Sequence, residues 1–282
     1  MSQLRSAWDP GRITTTRPDT PYALVVGLYA AVLVAPAVVL AIRQVVTDTA
    51  ILYISFLTAI TGVTVLVGMF VSRTTGLVRT LGRHDAVWLL AVLPFGWFGG
   101  AFGAIAVGYQ PPNLVFPLAV VGTAGGMLLG IALVAMSRTR YADAVFEETT
   151  ELTEWEARWP YRWRRLGGII AIGAFALSTI GVLAAFIFGS EWGWRLYYLL
   201  FVGVLAMNLL NKRTFRLTKV GIIVEHPLQR LFRPWSAFTN YELTDAALII
   251  HSRMWWLPAY RCDRSEIDDV ETIIETLEVH ID

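Results

Sequence analysis

Six apolar runs constrain what this chain can fold into. The first, residues 22–42, carries no charged side chain, and at 1.5 Å per residue it reaches ~30 Å, the thickness of a bilayer's hydrocarbon core. Comparable runs follow at 50–71, 86–108, 114–136, 166–189 and 192–210. A helix that is apolar all round must be covered on every side, and a chain of this size has too little other material to cover six of them. The expected surroundings are therefore lipid. Charge supports this: only 16% of residues are charged against about 25% in a soluble domain, and the charges collect between the runs. The expected fold is a multipass α-helical membrane protein with six transmembrane helices, preceded by a polar tail (1–21) and followed by a small β-rich domain (212–282).

Orientation follows from the arginines. With the N-terminus inside, the inner segments hold Arg5, Arg12, Arg17, Arg73, Arg79, Arg83, Arg138, Arg140, Arg158, Arg162, Arg164 and Arg165, whereas the outer turns hold Arg43 and Arg195. The positive-inside rule then places both termini in the cytoplasm and the protein in the cell (plasma) membrane. Lysines number only two, Lys212 and Lys219, a bias that matches a GC-rich prokaryotic genome.

Within the third and fourth runs, glycines recur four residues apart. Gly96 and Gly100, Gly99 and Gly103, and then Gly122, Gly126 and Gly130 place bare backbone on one helix face, where a neighbouring helix can approach closely. The two runs are expected to form a tightly packed hairpin through the Gln110-Pro111-Pro112 turn. The sharper alternative is a mobile pair lining a path.

The connection 137–158 is acidic and reads as a solvated helical face. Thr153 and Glu156 fit a capping box. Leu152, Trp155, Trp159, Trp163 and Leu166 then recur at spacings of three and four, the pattern of an amphipathic element lying in the membrane interface. Trp155, Arg158, Trp159, Arg162, Trp163, Arg164 and Arg165 are the candidate membrane-contact residues, with anionic lipid headgroups as the expected partners of the arginines.

From Lys212 the pattern changes to short β-rich runs: 214–217 and 222–225 around a turn ending in Gly221, then 231–233, 241–243, 248–251 and 259–262. A final helix is expected from about Glu266, with Ser265 as its cap and Ile267, Val270, Ile274 and Leu277 as its buried face. Cys262, the single cysteine, reads as a small strand residue. Trp255 and Trp256, if exposed, could dip into the interface or grip a partner; alternatively one ring closes the core.

The segments "TFRLTKVGIIVE", "RPWSAF", "LIIH" and "RSEIDDVETIIETL", in that order, resemble the prokaryotic PH-like domains that follow transmembrane helices. The step Pro234-Trp235 and the helix opening Ile267-Asp268-Asp269 carry the likeness, which covers the last quarter of the chain. It implies a partly open barrel with a C-terminal helix, and self-association. It brings no catalytic residue with it. Eukaryotic relatives that bind phosphoinositides use a basic cluster in the first hairpin; here that turn holds Lys219, with Arg216 nearby, which argues against such binding.

Chemistry is sparse. His84, His226, His251 and His280 are scattered, no H-E-x-x-H, G-x-S-x-G or G-x-x-x-x-G-K pattern occurs, and the centres of the runs hold no charged residue. No catalytic residue, cofactor site, metal site or nucleic-acid partner is expected. The leading expectation is a non-enzymatic membrane protein that presents a PH-like module to a protein partner, to itself through 212–282, or to the membrane surface. The alternative is a small-molecule transporter or channel with a regulatory soluble domain.

Overall fold

The structure, a computed structural model, describes residues 18–109, 112–227, 229–254 and 257–281. Most of the expected N-terminal tail, Gln110-Pro111 of the expected turn, and both Trp255 and Trp256 lie outside the described residues. The chain divides into two units, Met1–Val145 and Phe146–Asp282.

The first unit opens with α1 (Thr20–Ile42) and α2 (Thr49–Arg73). Asp48 starts α2, its carboxylate accepting from the backbone N–H groups of Ala50 (2.8 Å) and Ile51 (3.1 Å). Gly27 and Gly68 let the two helices touch: a side chain at Gly27 would strike the carbonyl of Thr64, and one at Gly68 would come within 3.3 Å of that of Ala23. A short α3 (Leu77–Arg83) follows.

The third expected span is not one regular helix. It runs as a 3-10 turn (Asp85–Trp88), α4 (Leu89–Val92), a second 3-10 turn (Leu93–Phe95) and α5 (Gly96–Ala106). Pro94 is the cause, because it has no N–H to give the carbonyl of Leu90. Two neighbours repair the break: the Tyr29 hydroxyl donates to Leu90 O at 2.7 Å, and Thr123 Oγ1 donates to Pro94 O at 3.0 Å. Without water in a bilayer core, such internal partners are what makes a broken helix tolerable.

The fourth expected span, α6 (Val115–Glu148), continues well past the expected end at 136. The start of the connection read from 137 onward is part of this helix, and its polar residues find partners. Ser137 is buried against the Tyr22 hydroxyl at 2.8 Å, Arg138 reaches Asp85 at 3.7 Å, and Arg140 pairs with Asp19 at 2.7 Å while lying over the Tyr22 ring.

In the second unit, β1 (Glu151–Ala157) precedes α7 (Tyr161–Phe188). After Gly189, whose positive φ of 63° makes the turn, two short helices fold back along α7: α8 (Glu191–Leu196) and α9 (Leu199–Met207). The sixth expected span is thus interrupted. Around Tyr197-Tyr198 the backbone tightens into three-residue hydrogen bonds, Tyr198 N to Arg195 O and Leu200 N to Tyr197 O, and Ser178 Oγ donates to the Tyr197 carbonyl at 3.5 Å. Among the described residues, five helical stretches are long and apolar enough to cross a membrane: Thr20–Ile42, Thr49–Arg73, Asp85–Ala106, Val115–Glu148 and Tyr161–Phe188. They expose large apolar side chains such as Phe70, Ile172 and Phe188, which is compatible with a membrane location.

Beyond α9 come β2 (Arg213–Thr218), β3 (Gly221–His226), β4 (Gln229–Pro234), β5 (Phe238–Leu243), β6 (Ala247–Ser252), β7 (Tyr260–Asp263) and the C-terminal α10 (Val270–His280). Among the described residues the strands form two antiparallel sheets, ordered β1-β2-β3-β4 and β5-β6-β7. β1 pairs with β2 in the register Trp155 to Phe215 and Ala157 to Arg213. The helical hairpin is therefore inserted within a single strand-to-strand connection, and the sheet does not begin at 212. One core joins both sheets and α10: Trp155, Phe215, Leu217, Val224, Leu248, Ile250, Cys262, Ile273 and Leu277.

Two local expectations shift. The final helix starts at Val270, not near Glu266, because Asp269 accepts from Thr272 N at 3.1 Å and caps it there. Ser265 belongs to a preceding 3-10 turn capped by Asp263. The buried face accordingly centres on Ile273 and Leu277, with Ile274 only half-buried.

Candidate functional site

The residues proposed for membrane contact separate into three fates. Trp155 is a core residue and makes no interfacial contact: it is only 6% exposed and lies nearly parallel to the Phe215 ring at 5.2 Å. The segment is a strand with period-two alternation, Trp155 and Ala157 pointing in and Glu154 and Glu156 pointing out, so the expected capping box and helical stripe do not form. Arg158 and Arg164 are committed to protein carboxylates. Arg164 reaches Glu266 at 2.9 Å and Asp263 at 3.3 Å; Arg158 reaches Glu266 at 3.8 Å, and its backbone N–H donates to the same carboxylate at 2.8 Å. Half-buried Arg164 and buried Asp263 hold the first turn of α7 against the end of β7. Breaking such a pair leaves an uncompensated charge behind.

Trp159 and Trp163 form the third group. Their rings are 6.3 Å apart, the Arg213 guanidinium lies over Trp159 at 5.2 Å, and that of Arg261 lies over Trp163 at 5.6 Å. Arg162 and Arg165 stay exposed on the same turn. Arg213, Arg261, Asp263 and Glu266 were not among the residues singled out from the sequence. The signal that could have found them was the alternation in 151–157, which demands a partner strand; β2, supplying Arg213, is separated from β1 by the whole hairpin.

Of the acidic connection, Glu151, Glu154 and Glu156 lie on β1, in a neutralised sheet face. Arg216 bridges Glu151 (3.9 Å), Glu154 (3.3 Å) and Glu225 (3.6 Å) across three strands. Lys212 pairs with Glu156, holding that carboxyl below its usual pKa, and Arg230 pairs with Glu225. A mixed-charge hollow of ≈ 560 Å³ beside them is lined by residues including Glu154, Lys212, Asp268 and Asp269. Among the described residues, no group of three or more His, Cys, Asp and Glu is placed to hold a metal ion. Burial pushes the Cys262 thiol up to about 12, which leaves almost no thiolate at neutral pH and argues against a nucleophilic role.

His226 sits across the strand pair from the Arg213 end of β2, and burial, then the charge of Arg213, lower its pKa from 6.5 to about 4. The unfolded chain therefore takes up a proton first as the pH falls. Stability from this group is complete above about pH 6.5 and is lost progressively towards about pH 4. His226→Gln is expected to remove this acid sensitivity, worth roughly 1–2 kcal/mol after allowance for partial exposure. Denaturation of wild type and variant at neutral and mildly acidic pH measures it; equal acid losses would contradict it.

In the first unit the glycines divide. A side chain at Gly122 would meet the Trp97 ring at 2.7 Å, one at Gly126 would meet Pro94 at 2.8 Å, and one at Gly130 would strike the Leu90 carbonyl. At Gly96, Gly99, Gly100 and Gly103 it would meet nothing within 4 Å among the described residues, so, contrary to expectation, no neighbouring helix among them packs against these four. Gly96 and Gly100 instead border an open apolar cavity of ≈ 530 Å³, with Leu33, Leu93, Trp97 and Tyr109. Close-approach glycines that the sequence reading did not select include Gly27 in the first unit and, in the second, Gly167, Gly181 and Gly193, where the hairpin helices touch. No family model, no curated protein and no solved structure matches this chain.

Proposed function

We propose that the chain is a non-enzymatic integral protein of the cell membrane that presents a PH-like module on the cytoplasmic side as a binding surface for a protein partner. The observation that carries this reading is the pairing of β1 with β2 across the inserted hairpin. A module joined by one flexible tether could sample many orientations. One whose adjacent strands lead directly into and out of a membrane-length hairpin is held in a fixed pose, and the Arg164 pairs with Asp263 and Glu266 reinforce it. Two sheets of four and three antiparallel strands closed by a C-terminal helix suit a PH-like module. In this reading α8 and α9 together make the sixth crossing, and the excess of inner arginines puts the module in the cytoplasm.

The test is photocrosslinking in native membranes, with the probe at exposed Asn240 or Val279 of the module and, as control, at lipid-facing Phe70. A discrete protein adduct at the module positions, absent from the control, is the expected result. Absence of any protein adduct would defeat the reading. The apolar cavity beside Gly96 and Gly100 favours a second one, passage of a small apolar molecule through the first unit. A flux abolished by Gly100→Leu in a folded protein would select it.

A further inference from the structure

We propose that Arg213 and Arg261, held on the rings of Trp159 and Trp163, form a binding site for the phosphate of an anionic lipid headgroup at the base of the sheet module. The inference rests on the reading above, in which the hairpin crosses the membrane, and names the lipid chemistry recognised where hairpin and sheets meet.

Charge bookkeeping around the hairpin's root carries the argument. Arg158 and Arg164 are ion-paired with Glu266, Arg164 also with Asp263, and the outer sheet face pairs Lys212, Arg216 and Arg230 with its own glutamates. Arg213 and Arg261 have no carboxylate within ion-pair distance among the described residues; each has an aromatic ring instead. Arg213 is half-buried, and its Nε is buried with no hydrogen-bond partner. A desolvated guanidinium without a counter-ion is costly, and a bound anion would offset that cost.

Geometry selects the class of anion. Arg213, Trp159, Trp163 and Arg261 form a continuous row of cation, ring, ring and cation, drawn from β2, the entry to α7 and β7. A guanidinium lying over a ring is held in place by the ring without using up its N–H donors, and such donors suit the oxygens of a phosphate. The row stands at the first turn of a membrane-length helix, and Trp side chains at such a position sit at headgroup depth. That location favours a lipid phosphate over one drawn from solution.

The test uses the full chain in non-ionic detergent, titrated with phosphatidylglycerol or phosphatidylcholine and read by native mass spectrometry, with and without excess inorganic phosphate. Phosphatidylglycerol is expected to bind preferentially, and Arg213→Gln with Arg261→Gln is expected to weaken it about tenfold or more while leaving phosphatidylcholine unchanged. Equal retention by wild type and double variant would overturn the site. Displacement by inorganic phosphate would overturn the lipid assignment in favour of a free phosphate. Thermal melting checks the variant's fold; should the pair of substitutions unfold it, Arg261→Gln alone decides, since unaltered lipid selectivity there equally overturns the site. Lost lipid selectivity with intact crosslinks at Asn240 and Val279 separates this site from the wider reading.

Discussion

Trp155→Ala is expected to cost about 3–5 kcal/mol and to unfold the sheet module, although the residue lies in a stretch whose composition suggests membrane contact. The loss comes from three contributions at once: the buried indole, its stack on Phe215, and the cavity left between β1, β2 and α10. Trp163→Ala, only eight residues on, removes a ring that is 40% exposed and should cost about 1 kcal/mol or less. Hydrogen exchange of peptides from β2 to α10 in the detergent-solubilised protein distinguishes the two. Protection that survives Trp155→Ala would show that β1 is not part of the sheet.

Gly130→Leu is expected to be the most damaging change in the first unit, and Gly100→Leu among the mildest. Beyond Gly130 lie the carbonyl of Leu90 and, at 3.0 Å, the Cα of Ala91. These are backbone atoms that cannot swing aside. Overpacking typically costs about 1–3 kcal/mol and more where nothing yields, so the upper end or beyond applies. The same collision would push Leu90 away from the Tyr29 hydroxyl that repairs the Pro94 break. At Gly100 an added side chain meets open space, and replacing a helical glycine gains up to ~1 kcal/mol of propensity. Thermal stability in detergent, followed by size-exclusion of the soluble fraction, reads both. A Gly130→Leu protein as stable as wild type would sink the packing assignment.

Both predictions concern residues whose sequence pattern was readable and whose partners were not. Gly96, Gly100, Gly126 and Gly130 share one spacing. Spacing says that bare backbone lies on a helix face; whether another helix lies against it depends on the arrangement of the others, and here α6 meets the Pro94 region while α5 borders a cavity. Likewise 151–166 supports two periods at once. Leu152, Trp155, Trp159, Trp163 and Leu166 fit a helical stripe, whereas Glu154, Trp155, Glu156 and Ala157 alternate as a strand does. The strand period prevails because β2 is available to pair with it, and β2 begins at Arg213, beyond the hairpin. No local window contains both.

What the sequence by itself determined is whatever depends on a residue's immediate neighbours. The apolar runs at 22–42, 50–71, 86–108, 114–136 and 166–189 correspond to helical stretches long enough to cross a bilayer, because transfer into lipid is additive along a run. The hairpin from β2 to β3 was legible for the same reason: Thr218 and Gly221 close the turn within four residues. Only the tertiary structure decided that the sheet begins before the hairpin, that Trp155 is core, that Arg164 belongs to Asp263 and Glu266, and that Arg213 and Arg261 stand on tryptophan rings. Each of those joins residues some fifty to a hundred positions apart, and such contacts are selected by the energy of the whole assembled core rather than by any stretch of chain.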